Sequence, residues 1–300
     1  MTELNLEANN TPRMGIQIAY KRTCDCKPNH INCLTAKEWL KHQIGVWQFT
    51  YEKRDIRNKQ LHPATFPIAL AKSCIALYSH QGELIVDPFV GSGTTLIAAR
   101  DLGRNAVGFD LKQKYIELSQ SRLDQEPMNG NYKQIAICDD ARNIAQHIEP
   151  GTISLCFTSP PYANMLNRKR KNKSRRSNAR NNEQYMKIEQ YSQDARDLGT
   201  LSIDTYKIAM EEIYTDIFQL IKPGGHCVVN STDIWWNDKR LLIHKVVIEA
   251  LEQAGFEFRN TIIWDRTNIV NNVGIFGWPS NYITIGTTFE YLLHFRRSKS

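Results

Sequence analysis

Long apolar runs are missing from this chain of 300 residues. None approaches the ~20 residues that a helix needs to cross a bilayer, so no membrane-spanning helix is expected. The N-terminus carries Glu3 and Glu7 with no apolar core behind them, which does not fit a secretory leader. The cytoplasm is therefore the expected compartment. Cysteine is scarce, and its count of seven is odd. Cys74, Cys138, Cys156 and Cys227 lie in apolar runs and read as core residues, which argues against a disulfide framework. There is no internal repeat. The hydrophobic share of 41% suffices for one large α/β domain with elaborations and does not demand two.

Acidic residues are missing from one conspicuous place. Between Arg168 and Arg180, eight of thirteen residues are basic: Arg168, Lys169, Arg170, Lys171, Lys173, Arg175, Arg176 and Arg180. The rest of the chain is nearly balanced, so this stretch accounts for the net charge of +7. Such a run attracts polyanions over long range. It lies within residues 163–203, a polar segment that reads as an insertion.

Residues 1–23 lack periodicity and read as an arm; with residues up to 60 they form an expected N-terminal extension, and residues 61–300 the main domain. From Leu84 onward strands and helices alternate. Strands are expected at 84–87, 106–110, 133–137, 153–158, 227–230, 256–265 and 289–295. Helices are expected at 68–78, 94–102, 112–123 and around Tyr206, Met210, Ile213, Ile217 and Leu220, which recur at helical spacing. A further helix carries Leu241, Val247, Ile248 and Leu251. Lys222-Pro223-Gly224-Gly225 reads as a turn. The alternation implies a Rossmann-like α/β fold: a seven-stranded, mostly parallel sheet with helices on both faces and an antiparallel last strand.

The first of these strands runs into Asp87-Pro88-Phe89-Val90-Gly91-Ser92-Gly93-Thr94-Thr95. Gly91 and Gly93 allow close backbone approach, and Thr94 and Thr95 open a helix whose free amides face a ligand. What the loop lacks narrows its use. No lysine follows Gly93, so it is not a phosphate-binding P-loop. Position 96 is leucine, so the third glycine of a dinucleotide fingerprint is absent. The next strand ends at Asp110, where a carboxylate can accept both hydroxyls of a ribose. The loop looks like one that seats S-adenosyl-L-methionine, a reading that rests mostly on the second motif described next, with Asp87 toward the ammonium and Phe89 packed on the cofactor.

The fourth strand ends in Thr158-Ser159-Pro160-Pro161-Tyr162. Two prolines hold this loop extended and stiff and turn carbonyls outward as acceptors. A nucleobase amine is a poor nucleophile because its lone pair is delocalised into the ring. The Ser159 hydroxyl and the Pro160 carbonyl can bond the amine and the neighbouring ring nitrogen, and Tyr162 can stack on the base. Aligning the amine with a sulfonium methyl supplies most of the rate. In a duplex the base has to be rotated out first.

These residues resemble the amino-methyltransferases of DNA, which modify N4 of cytosine or N6 of adenine. Residues 87–95 match the family's first motif and residues 158–162 its fourth. His62-Pro63 is similar to the motif that packs over the methionine end of the cofactor. Asp110 matches the ribose-binding acid, and Asp140 the acid that reads the cofactor's adenine amine, with Asp139 where the family often has glycine. The resemblance implies a class I methyltransferase fold, S-adenosyl-L-methionine as donor and DNA as partner. Ser159, rather than aspartate, is commoner among N4-cytosine enzymes and favours cytosine; adenine, an RNA amine and a non-catalytic DNA-binding role are the alternatives. Intact glycines and an intact Thr-Ser-Pro-Pro-Tyr speak against the last. The order of motifs, cofactor loop first, is the reverse of many relatives with this catalytic loop.

No large domain follows the last strand, so target recognition falls to the 163–203 insertion, the 266–286 loop, the N-terminal segment or a partner. In that loop Asn268, Asn271, Asn272, Trp278 and Asn281 suit base-edge contacts and equally suit turns. Tyr185 and Tyr191 suit base contacts or packing. Cys24, Cys26, His30 and Cys33 lie within ten residues, and three thiols with an imidazole can hold Zn²⁺. The Cys-x-Cys spacing is not the usual knuckle, and one local cluster rarely completes a site, so no metal ligand is assigned.

Overall fold

Side chains along a strand alternate between its two faces, and here that alternation builds two cores. The structure is a computed structural model and describes residues 20–27, 31–56, 65–125, 130–163, 194–236, 239–269 and 287–299. The strands are β1 (Val46–Gln48), β2 (Leu84–Asp87), β3 (Asn105–Asp110), β4 (Gln134–Cys138), β5 (Ile153–Thr158), β6 (Ile221–Ser231), β7 (Ile234–Trp236), β8 (Lys239–Leu241), β9 (Glu257–Asp265) and β10 (Phe289–Arg296). The helices are α1 (Ala36–Lys41), α2 (Lys53–Ile56), α3 (Ile68–Tyr78), α4 (Thr94–Asp101), α5 (Gln113–Asp124), α6 (Ile144–His147), α7 (Ile203–Leu220) and α8 (Ile243–Gln253).

Eight strands form one sheet in the order β1-β9-β10-β6-β5-β2-β3-β4, and β7 and β8 make a separate hairpin. The strand β10 runs antiparallel to both β6 and β9. The pairs β2–β3, β2–β5, β3–β4 and β5–β6 are parallel. Val86, Val107 and Cys156 point to the face covered by α7 and α8, while Ile85, Ala106 and Leu155 point to the face covered by α3 and α4. All seven expected strands are present. An eighth, β1, joins the edge parallel to β9. It is three residues long and follows no helix-strand rhythm, which is why the alternation does not mark it.

Three expectations need correcting. Leu241, expected in the helix of Val247, Ile248 and Leu251, ends β8 instead, and that helix starts at Ile243. Cys138 is exposed, unlike the buried Cys74, Cys156 and Cys227; it ends β4, the outermost strand, which has one uncovered side. Lys222–Gly225 is not a free turn but lies within β6. Pairing with β5 jumps there from Ile153↔Ile221 to Leu155↔His226, so the strand absorbs three extra residues as a bulge.

Trp47 anchors β1. It is 6% exposed within the α3–α4 core, and its ring meets Phe49 edge to face at 6.0 Å. Trp47→Ala is expected to cost about 3–5 kcal/mol, the usual loss for deleting a buried large aromatic. Chemical denaturation measures this; an unchanged midpoint would mean that β1 contributes nothing to the fold.

Candidate functional site

The carboxyl ends of β2, β3 and β5 lie side by side, and one buried carboxylate joins them. Asp87 ends β2 and is 2% exposed. Thr158, the last residue of β5, donates its hydroxyl to Asp87 Oδ1 at 2.5 Å. Thr95, in the first turn of α4, donates to Oδ2 at 2.5 Å. The Phe89 amide donates to Oδ1 at 3.0 Å. Burial pushes the carboxyl up to about 6, against the pull of these three donors. The two motifs that the sequence keeps 71 residues apart thus touch directly.

The glycine loop is held from below. The Val90 amide donates to the Phe109 carbonyl at 2.8 Å, and the Gly91 amide to Asp110 Oδ2 at 3.1 Å. Asp110 ends β3 and also accepts the Lys112 amide at 2.9 Å; burial pushes its carboxyl up to about 6. Gly93 caps α4 at φ 81°, and a Cβ there would lie 2.2 Å from Ser119 Oγ, so no other residue fits. Arg122, buried in α5, donates to the Ser92 carbonyl at 2.6 Å, to Ser92 Oγ at 2.9 Å and to Thr94 Oγ1 at 3.2 Å. It clamps the loop from behind. Pro88 is buried and Phe89 half-buried against the α7–α8 core.

Beyond β4, Asp140 is 6% exposed. It accepts the Arg142 amide at 3.0 Å and pairs with the Arg142 guanidinium at 3.1 Å. Its neighbour Asp139 accepts His147 Nε2 at 2.7 Å and Asn143 Nδ2 at 2.8 Å. These bonds outweigh desolvation, so the Asp139 carboxyl lies below the ordinary range. The strands β2, β3 and β4 therefore each deliver an acid to the same edge: Asp87, Asp110 and Asp140.

In the diproline loop, Pro160 is buried and Ser159 and Pro161 are half-buried. Tyr162 is 8% exposed and packs into the α7–α8 core; in this arrangement it is not the open platform expected from the sequence. Its hydroxyl lies 3.4 Å from Ser159 Oγ. Behind Ser159 runs a chain that sequence reasoning missed. Asn230, near the end of β6, sends Nδ2 to Ser159 Oγ at 3.4 Å and to Glu290 Oε2 at 2.7 Å. Glu290, on β10, is paired with Arg266; burial pushes its carboxyl up, against the pull of that guanidinium. The available signal was a polar residue after the apolar run Cys227–Val229 and the single acid of β10.

Of the segment 163–203, expected as an insertion, Ala163 and residues 194–203 are described; there the Arg142 guanidinium donates to the Arg196 carbonyl at 3.3 Å. Asp197, 4% exposed, caps the turn that follows through the Gly199 amide at 2.8 Å. The basic residues Arg168–Arg180 lie outside the described residues, as do His62, Pro63, Tyr185, Tyr191, Asn271, Asn272, Trp278, Asn281 and His30. Asn268 is described, and its side chain donates to the Phe49 carbonyl at 3.1 Å, which is a loop-fixing role.

Asp87 has a measurable signature. Its folded pKa of about 6 exceeds the ~3.9 of an unfolded aspartate, so the folded state holds this proton more tightly. The Asp87 contribution to stability is therefore greatest below pH ~4 and falls as pH rises through the window up to about 6. Asp87→Asn should remove this part of the slope, seen as a smaller stability loss between those limits than in the parent chain. Identical slopes in both proteins would show that the carboxyl is not buried as described.

The N6/N4-type DNA methylase family matches residues 7–121 and 153–300. The chain is 38% identical over 82 residues to Type II methyltransferase M.HpaI of Haemophilus parainfluenzae, which is 27% of this chain and 26% of that protein. It is 38% identical over 90 residues to Type II methyltransferase M.ScaI of Streptomyces caespitosus, 29% of this chain and 30% of the other. The chain thus aligns with less than a third of the length of these curated relatives. Among solved structures, TrmN from Thermus thermophilus superposes with a TM-score of 0.50 at 16% identity, over 81% of this chain and 53% of that one, a likeness of fold alone. Since the family match takes in nearly every strand and helix described above, including both loops that Asp87 joins, the chain belongs to the N6/N4 DNA methylase family.

Proposed function

We propose that this protein is a Type II DNA methyltransferase that transfers a methyl group from S-adenosyl-L-methionine to the exocyclic amine of a flipped base, N4 of cytosine in the first instance. The observation that carries this reading is the contact of Asp87 with Thr158. It sets the family's cofactor loop beside its catalytic loop, so a donor seated at one reaches an amine held at the other.

The acids on the sheet edge suit such a donor. A sulfonium and an ammonium favour carboxylates, a ribose diol favours an acceptor such as Asp110, and an adenine amine favours Asp140. Pro88, Phe89, Ser92 and Gly93 line the turn between these acids, and the amides at Thr94 and Thr95 begin α4. His62, on the family resemblance, covers the methionine end. When bound, the donor supplies an electrophilic methyl on a good leaving group, so no strong base is required.

The protein's own task is to hold the amine. Asn230 donates to Ser159 Oγ, which turns the hydroxyl proton away from Asn230 and makes Ser159 a donor toward a ring nitrogen. The Pro160 carbonyl accepts an amine hydrogen. Asn230 Oδ1 is buried with no partner among the described residues, a second acceptor near the same point. Bonding both hydrogens draws the amine nitrogen toward tetrahedral geometry and frees its lone pair for attack; the proton released goes to solvent.

Ser159 in place of aspartate supports cytosine, since a hydroxyl can donate to cytosine N3. Adenine N1 offers an equivalent acceptor, so N6-adenine methylation is the second reading. The run Arg168–Arg176, which follows the diproline loop in sequence, is the proposed phosphate grip for DNA in the cytoplasm.

Transfer of label from S-adenosyl-L-methionine into DNA, followed by mass analysis of the nucleosides, tests the reading: N4-methylcytosine is expected, N6-methyladenine would select the second reading, and no labelled nucleoside would refute both. Ser159→Ala should lower turnover roughly 10²- to 10³-fold, as removal of a positioned donor does, while cofactor binding survives. Asp110→Ala should instead weaken cofactor binding by roughly 10- to 100-fold, the worth of a charged hydrogen bond. Wild-type values in both variants would overturn these roles. Replacing Lys171, Lys173, Arg175 and Arg176 by glutamine should weaken DNA binding and flatten its dependence on salt; an unchanged slope would dismiss the phosphate grip.

A further inference from the structure

At the opposite edge of the sheet, three thiols and an imidazole converge on one point. Cys24, Cys26, Cys33 and His80 each offer a ligand atom, and all four atoms lie within 4.8 Å of one another. Cys26 Sγ is 3.2 Å from Cys24 Sγ and 3.6 Å from Cys33 Sγ. His80 Nδ1 is 3.3, 3.7 and 3.8 Å from the sulfurs of Cys24, Cys26 and Cys33. A tetrahedral ion with sulfur at ~2.3 Å and nitrogen at ~2.0 Å separates its ligand atoms by roughly 3.5–3.8 Å. The measured spacings fit one four-coordinate ion and are too short for a multinuclear cluster.

The backbone around these residues is built to bring them together. The Thr23 amide donates to the Gln81 carbonyl at 2.8 Å, laying the Cys-x-Cys segment along the turn that carries His80. Gly82 in that turn has φ 83°, and a Cβ there would lie 2.5 Å from the Lys21 carbonyl oxygen, so only glycine lets the two segments approach. Cys33 sits on a tight turn closed by reciprocal amide bonds between Ile31 and Leu34 at 3.1 and 3.0 Å. Its partner Asn32 takes φ 51° and bonds the Leu77 carbonyl. The Gln81 amide donates to Cys33 Sγ at 3.3 Å, a bond that a thiolate accepts better than a thiol.

Charge also balances. Three thiolates, a dication and a neutral imidazole sum to −1. The Arg22 guanidinium lies over the segment, donating to the Cys24 and Cys26 carbonyls at 3.2 and 3.3 Å. Arg104, 3% exposed, is near enough to feel the charge of Cys33 and Cys24.

We propose that Cys24, Cys26, Cys33 and His80 bind one structural Zn²⁺. Three soft thiolates with one imidazole select zinc over hard cations, and four protein ligands leave no open position for catalysis. Binding releases three thiol protons to solvent and involves no redox change. His80 lies just before β2 begins, whereas Asp87 ends that strand, so the ion is remote from the methylation site. Its work is to staple residues 20–34 to the sheet, which fixes the start of α1 and hence the approach of β1. The fourth ligand is contributed from 47 residues beyond Cys33, so the site is not the local cluster with His30 that the sequence suggested.

The full-length chain, produced without a histidine tag in zinc-supplemented medium, should contain one zinc per chain by elemental mass spectrometry. Cys33→Ser and His80→Ala should lose it, whereas His30→Ala and Cys138→Ser should keep it. A wild-type chain without zinc, one holding iron instead, or zinc lost with His30→Ala and kept with His80→Ala would overturn the proposal. So would a Cys24–Cys26 disulfide in the freshly purified protein. Cobalt substitution guards against simple misfolding of a variant: the wild-type chain should show thiolate-to-cobalt charge transfer and the visible bands of a tetrahedral ion. His80→Cys should bind the ion with a stronger charge-transfer band. Absence of thiolate bands in the cobalt-loaded wild-type chain would sink the assignment.

Discussion

A single desolvated carboxylate governs the geometry of this protein. Asp87 is removed from water, so its oxygens must be met by protein donors or the group will shed its charge. Those donors come from two different elements: Thr95 opens the helix after the glycine loop, and Thr158 closes the strand before the diproline loop. Satisfying one buried acid therefore fixes the separation of two loops. Parallel pairing of β2 with β5 is the precondition, since Val86↔Cys156 register brings the two strand tips level. A helix crossover between consecutive strands is what allows such non-sequential strands to become neighbours.

The rest of the edge follows the same logic. In a parallel sheet, strand tips share one side, and each tip can present one side chain to a crevice. Here the tips of β2, β3 and β4 present acids and that of β5 presents the stiff loop. Asn230 near the end of β6 extends the row and couples Ser159 to Glu290 and Arg266. That chain places a charged pair behind a neutral amide. Glu290 is buried and holds Asn230 at 2.7 Å, while the amide faces Ser159, so the hydroxyl feels a donor rather than a full charge.

How much of this was legible beforehand depended on whether the signal was local. The β2, β3 and β5 strands read as apolar runs of four to six residues ended by punctuation, and all appear with nearly the expected bounds. The two loops read from residue type alone, because glycine and proline constrain the backbone wherever they stand. The missed features are those that need a partner far away. Strand β1 is three residues with one buried side chain and exists only because β9 offers an edge. Arg122 carried no signal of its own in the expected 112–123 helix, yet it turns inward to hold Ser92. Cys138 looked buried because its run is apolar, but burial depends on which strand is outermost. His80 sits far from the thiols in sequence, and only the turn at Gln81–Gly82 shows why it belongs with them.

Charge is divided in a way that the proposed reaction requires. The acids Asp87, Asp110 and Asp140 at the strand ends would favour the proposed cationic donor, but they would repel the phosphates of a polyanionic substrate. Two features reduce the conflict. Asp87 and Asp140 are buried, and the bonds to Thr95, Thr158 and Arg142 keep much of their field within the protein. The basic residues, in turn, are concentrated in one sequence segment. Placement matters more than the number of charges, because screening limits exposed charges to ~10 Å at moderate salt. A basic run just after the diproline loop in sequence suits the proposed reaction better than one placed far along the chain.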